Sequence, residues 1–141
     1  MAPLGPVYQA GTLSGNPIAM AAGLATMDLI TEPGFFERLG AGCARLVDGL
    51  NAAARETGVA FCARHRGGLA GLYMLATPPA SFAEVQAQDV DRFRRFYQLM
   101  LDEGVYLPPS PVEAFFFSGA HSDGDVDATI DAARRSLRAV A

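Results

Sequence analysis

The sequence predicts an α+β fold, a layer of short strands with helices on one face. Two observations carry this. The strand-like runs are short and bounded by Gly and Pro, and the stretches between them repeat apolar residues every three or four positions. Taken along the chain, the order is helix, helix, strand, strand, helix, strand, strand, helix.

The first helix starts at Asn16-Pro17, because Asn suits the N-cap and Pro the first helical position. From Pro17 to Ile30 only Pro17, Gly23, Thr26 and Asp28 interrupt the apolar residues. A helix apolar nearly all round is expected to be buried, and this one looks made to pack on something else. Thr31-Glu32-Pro33-Gly34 breaks it. The second helix is amphipathic through Phe36, Leu39, Cys43, Leu46 and Leu50, and Gly58 is its expected stop after Thr57. Strands are expected at Val59–Ala63 and Leu69–Leu75, with Arg64-His65-Arg66-Gly67-Gly68 as the loop between them. Thr77–Ser81 reads as loop. Asp89–Glu103 is a third helix burying Val90, Phe93, Tyr97, Met100 and Leu101, stopped by Gly104. A short strand is expected at Val105–Leu107 and another at Ala114–Ser118, whose three consecutive phenylalanines suggest a sheet covered on both faces. Between them, Pro108, Pro109 and Pro111 make a stiff turn. Ser122 caps the last helix with Asp125 three residues on, and Val126, Ile130, Ala133 and Leu137 form its apolar face.

At 141 residues, half of them apolar and 18% charged, the chain has the length of one domain with a real core. A net charge of −4 leaves no electrostatic footprint for nucleic acid or an anionic membrane. No apolar run approaches the roughly 20 residues of a membrane span. Cys43 and Cys62 lack paired spacing and point to a reducing compartment, hence the cytoplasm. All 11 basic residues are arginines, so chemistry that needs a side-chain amine is closed to this chain alone.

The segment Tyr8-Gln-Ala-Gly-Thr-Leu-Ser-Gly-Asn-Pro17 stands out for function. Gly11 allows close backbone approach, Thr12 offers a hydroxyl and an N–H, and the helix N-terminus that follows favours anions. Pattern alone also suits an ordinary Gly/Ser/Asn turn capping a helix, and favours that reading. Glu113 lies between the proline turn and the phenylalanines, where desolvation would fit it for proton transfer or ligand contact. A solvated acid at a strand end is the favoured reading. Cys43, Cys62, His65 and His121 have no metal-ligand spacing, so no metal site is expected. Arg64 and Arg66 could pair an acidic ligand, but solvated loop charges are the favoured reading.

The segment Gly5–Pro17, with the Ile-Ala-Met-Ala-Ala-Gly-Leu-Ala-Thr that follows, resembles the corresponding stretch of glutamate-1-semialdehyde 2,1-aminomutases. These are members of the class III pyridoxal-phosphate aminotransferase superfamily. The likeness continues through Gly104-Val-Tyr-Leu-Pro-Pro-Ser110, Glu113-Ala114, Ser118–His121 and Asp125–Ala133. The resemblance implies that the chain is the C-terminal portion of such an enzyme. Residues 1–31 would end the large cofactor-binding domain, and 32–141 would form the small domain, with a short, mostly antiparallel sheet. It implies a homodimer in which Gly11 and Thr12 reach the partner subunit's cofactor phosphate. Tyr8 would lie near the active site and Glu113 toward the substrate pocket. It also implies pyridoxal or pyridoxamine 5'-phosphate as cofactor and conversion of glutamate 1-semialdehyde to 5-aminolevulinate, a step of tetrapyrrole biosynthesis. The Schiff-base lysine of such enzymes is not in this sequence, so the isolated chain is expected to be inactive. Two departures touch the substrate pocket: Arg64–Gly71 lacks the usual Gly-Ser-Met-Phe, and Phe115 replaces a common glycine.

Overall fold

A computed structural model describes all 141 residues. Although the length fits one domain, the chain divides into two compact units, Met1–Phe35 and Phe36–Ala141.

The first unit is a loop followed by α1 (Pro17–Ile30), the span the sequence predicts. Its burial differs from expectation. No residue of α1 is buried, and Ile18, Met20, Leu24, Met27 and Leu29 are each more than half exposed. Apolar residues all round a helix need partners on every side, and this unit holds no second layer to supply them.

In the second unit, α2 (Phe35–Thr57) buries Cys43, Leu46, Val47, Leu50, Ala53 and Ala54. Gly58 ends it with φ +71°, a left-handed conformation that glycine adopts without a Cβ clash. Strands β1 (Cys62–Arg66), β2 (Leu69–Tyr73) and β3 (Ala114–Phe116) form an antiparallel sheet in the order β1-β2-β3. Arg64 pairs with Gly71, and Gly71 with Ala114.

Several boundaries move. The first strand starts at Cys62 rather than Val59, because the tight Gly67-Gly68 turn draws Arg64, His65 and Arg66 into the ladder. Polar residues are tolerated there because β1 is an edge strand and all three are exposed. The covered-sheet expectation also fails. Phe117 is buried, but Phe116 within β3 is 79% exposed.

A five-residue helix, α3 (Phe82–Gln86), follows the Thr77–Ser81 loop; Ser81 caps it by accepting from the Glu84 N–H. Helix α4 (Val90–Asp102) buries Phe93, Phe96 and Met100. Of the expected set Leu101 is exposed and Val90 and Tyr97 are only half-buried, while Phe96 is buried, because the helix turns the 93/96/100 stripe inward, where Phe96 meets Phe61. The strand expected at Val105–Leu107 does not form. The Gly104 N–H donates to the Leu101 carbonyl and the Val105 N–H to that of Met100. That Schellman closure uses the donor a strand would need. Finally α5 (Asp123–Ala139) starts with the expected capping box of Ser122 and Asp125 and buries Val126, Ala132, Ala133, Ser136 and Leu137.

Candidate functional site

The candidate residues fall in two places, one in each unit. In the first, the loop before α1 is a turn closed by the Ser14 N–H donating to the Gly11 carbonyl at 2.9 Å. A Cβ at Gly11 would lie 2.1 Å from Ser14 Oγ, so any larger residue here would force the Ser14 hydroxyl to turn aside. The helix end itself is no anion site. Pro17 has no N–H, Asn16 Oδ1 accepts from Ile18 and Ala19 at 3.1 and 3.2 Å, and the Met20 N–H donates to the Asn16 carbonyl. The first-turn N–H groups of α1 are therefore already committed to Asn16. Thr12 is exposed, and no hydrogen bond within the chain engages its N–H or hydroxyl. Tyr8 is 78% exposed on the strand-free segment leading in.

The second place is the turn before β3. The Glu113 N–H donates to the Ser110 carbonyl at 3.3 Å, and Ser110 Oγ accepts from the Val112 N–H. Pro108, Pro109 and Pro111 stiffen the backbone around these bonds. Glu113 is exposed, in line with the solvated strand-end acid that the sequence favours. One residue the sequence reading passed over, Gln88, reaches this turn from the far side.

Close by, a cavity of 530 Å³ opens between the segment Glu103–Pro108, the phenylalanines of β3 and the start of α5. His121 and Asp125 line it. His121 Nδ1 accepts from the Ser118 N–H at 3.2 Å. Its ring meets Phe117 edge-on at 4.9 Å. The Ser122 N–H, then the Ser122 hydroxyl, hold the Asp125 carboxyl below the usual carboxylate range. Asp125 and His121 thus serve the start of α5.

The other polar candidates are scattered. Cys43 and Cys62 are free and buried, and burial pushes both thiols up, with Arg64 partly offsetting this at Cys62. His65 is exposed on β1. No three His, Cys, Asp or Glu side chains converge as a metal site would require. Arg64 and Arg66 are exposed as expected, though on a strand rather than in a loop. No helix is long and apolar enough to cross a membrane.

Comparison with known proteins gives this geometry a context. No protein-family model matches the chain. Over 137 residues, 97% of its length, it is 59% identical to a glutamate-1-semialdehyde 2,1-aminomutase of Laribacter hongkongensis (strain HLHK9). The chain spans 32% of that relative's length. Among solved structures, an omega-transaminase from Sphaerobacter thermophilus matches 99% of the chain with a TM-score of 0.75 at 24% identity. The PLP internal aldimine form of the Sphingopyxis sp. MTA144 FumI protein matches 95% with a TM-score of 0.72 at 25% identity. These span 32% and 30% of the structures they match. The fold is therefore the α+β arrangement found in part of such transaminases.

Proposed function

We propose that this chain is the C-terminal portion of a glutamate-1-semialdehyde 2,1-aminomutase, contributing its small domain and the end of its large domain. The observation that carries this is the 59% identity maintained over 97% of the chain. The transaminase-like fold is consistent with it. In this reading Met1–Phe35 belongs to the large domain and Phe36–Ala141 forms the small domain, as the division into two units suggests. The complete protein is a cytoplasmic homodimer that takes glutamate 1-semialdehyde to 5-aminolevulinate for tetrapyrrole biosynthesis.

The residues present suit half of a phosphate site. Thr12 presents two uncommitted donors, and Gly11 beside it adds no side chain to obstruct approach. In the dimer Gly11 and Thr12 would hold the phosphate of the partner subunit's pyridoxal or pyridoxamine phosphate, with Tyr8 beside the active site. That cofactor, when bound, supplies the electron sink for moving an amino group between adjacent carbons. Glu113 would face the substrate and orient it through its carboxylate. The lysine that holds the cofactor and moves protons must come from sequence outside this chain.

A chimera tests the assignment. The matching third of the Laribacter hongkongensis aminomutase is replaced by these residues, and 5-aminolevulinate formation is measured. Activity comparable to the parent is expected. A stable, cofactor-loaded chimera that instead passes its amino group to an added keto acid would support a transaminase, the activity named for the Sphaerobacter thermophilus structure. The 141-residue chain alone is expected to form no 5-aminolevulinate.

A further inference from the structure

Gln88 is one of two polar residues in the buried set, at 5% exposure. A buried amide is costly unless its donors and acceptor are all used. Here they are. Oε1 accepts from the Met74 N–H at 3.1 Å, just beyond the end of β2. Nε2 donates to the Val85 carbonyl in α3 and to the Pro111 carbonyl, both at 2.8 Å. One N–H faces Oε1 and two carbonyls face Nε2, so only this orientation of the amide fits.

The three bonds bring together the residue after β2, α3 and the turn at Pro111, and they add to the ladder that pairs Gly71 with Ala114 just after that turn. The Pro111 bond matters most for function, because Pro111 lies within the turn closed by Ser110 and Glu113. The flanking prolines fix φ, so holding one carbonyl orients the whole stiff turn rather than a single peptide. Glu113 is the next residue but one, and its direction follows from that of the turn.

We infer that Gln88 is a positioning residue that locks the Ser110–Glu113 turn onto the end of β2 and so sets where the Glu113 carboxylate points. The functional half of this rests on the assignment of Glu113 to the substrate side; the clamp itself does not.

Hydrogen exchange on the 141-residue chain tests the clamp. In Gln88→Leu, the Met74 and Glu113 amides should exchange about tenfold faster while Leu50 and Phe96 in the core keep their protection. Gln88→Glu keeps the acceptor and loses the amide donors. It should therefore preserve protection at Met74 and loosen only the turn, which a general packing role would not do. Uniform loosening of both regions and the core, or an unchanged turn in both variants, would overturn the clamp. Kinetics of the chimera test the functional half. Gln88→Leu should lower kcat/KM about tenfold with cofactor content unchanged, and adding Glu113→Gln should cost little more, since the two act through one group. Full additivity would sink the positioning role. If Glu113→Gln alone has no effect, the assignment of Glu113 fails while the exchange result still decides the clamp.

Discussion

Thr12 and Asp125 show how differently two exposed polar residues are employed. Asp125 is committed to its own helix, whereas Thr12 has no partner inside the chain. In the assembled chimera, Thr12→Ala should weaken cofactor retention by about 1–3 kcal/mol, through loss of a charge-assisted contact to phosphate. Equilibrium dialysis followed by cofactor absorbance measures it, and equal affinity would count against the phosphate role. For Asp125 the consequence is a pH dependence. Its carboxyl is held below the ordinary range by Ser122, so its stabilisation is complete above that range and is lost as pH falls through the lower folded value. Glu103 adds to the same acid-side loss, because hydrogen bonding from Arg135 lowers it likewise. The melting-temperature gap between the parent chain and Asp125→Asn should therefore be widest near neutral pH and narrow below about pH 4. A gap that stays constant down to pH 3 would refute the linkage.

At the level of elements, α2 lies close enough to the end of β3 that side-chain size matters. A Cβ at Gly42 would come within 2.7 Å of the Phe117 ring. That ring is buried, meets His121, and is tied through its backbone N–H to the Gly68 carbonyl. Alanine is the better helix former by about 1 kcal/mol, but overpacking a buried ring costs about 1–3 kcal/mol. Gly42→Ala should therefore be net destabilising in chemical denaturation, and a stabilised variant would mean that Phe117 can move aside. What could be read in the sequence follows the same division between local and tertiary causes. The termini of α1, α2, α4 and α5 are written locally, in Asn16-Pro17, Gly58, Gly104 and Ser122-Asp125. The start of β1 is not, because Arg64–Arg66 join a ladder only when β2 is present to pair with them. Nor is the burial of Phe96 in place of Leu101, which depends on where Phe61 sits. The candidate residues divide likewise. Gly11, Thr12 and Glu113 stand out only through the resemblance of the runs around them to a known family. Gln88 has no local signature, since its three partners lie at Met74, Val85 and Pro111.

At the scale of the whole molecule, the two units should respond differently to solvent. The second has a continuous core of 22 buried residues drawn from α2, the sheet, α4 and α5 and the segments between them. In the first, α1 buries nothing. Its five large apolar side chains are available to any apolar surface, and burying each is worth roughly 1.5–3 kcal/mol. That gain is of the same order as the rigid-body cost of bringing chains together, estimated at about 4–15 kcal/mol, so burial of α1 on both chains can drive association. The isolated chain should sediment as dimers or larger species at micromolar concentration. Replacing Leu24 and Met27 with glutamate should shift it toward monomer, because each charge would have to enter the apolar contact unpaired. The same double substitution should leave the main thermal transition unchanged, since that transition belongs to the unit Phe36–Ala141, whose core contains no residue of α1. A monomeric parent chain would show that the apolar face of α1 does not drive association. A large fall in melting temperature for the double variant would show instead that α1 contributes to the fold of the second unit.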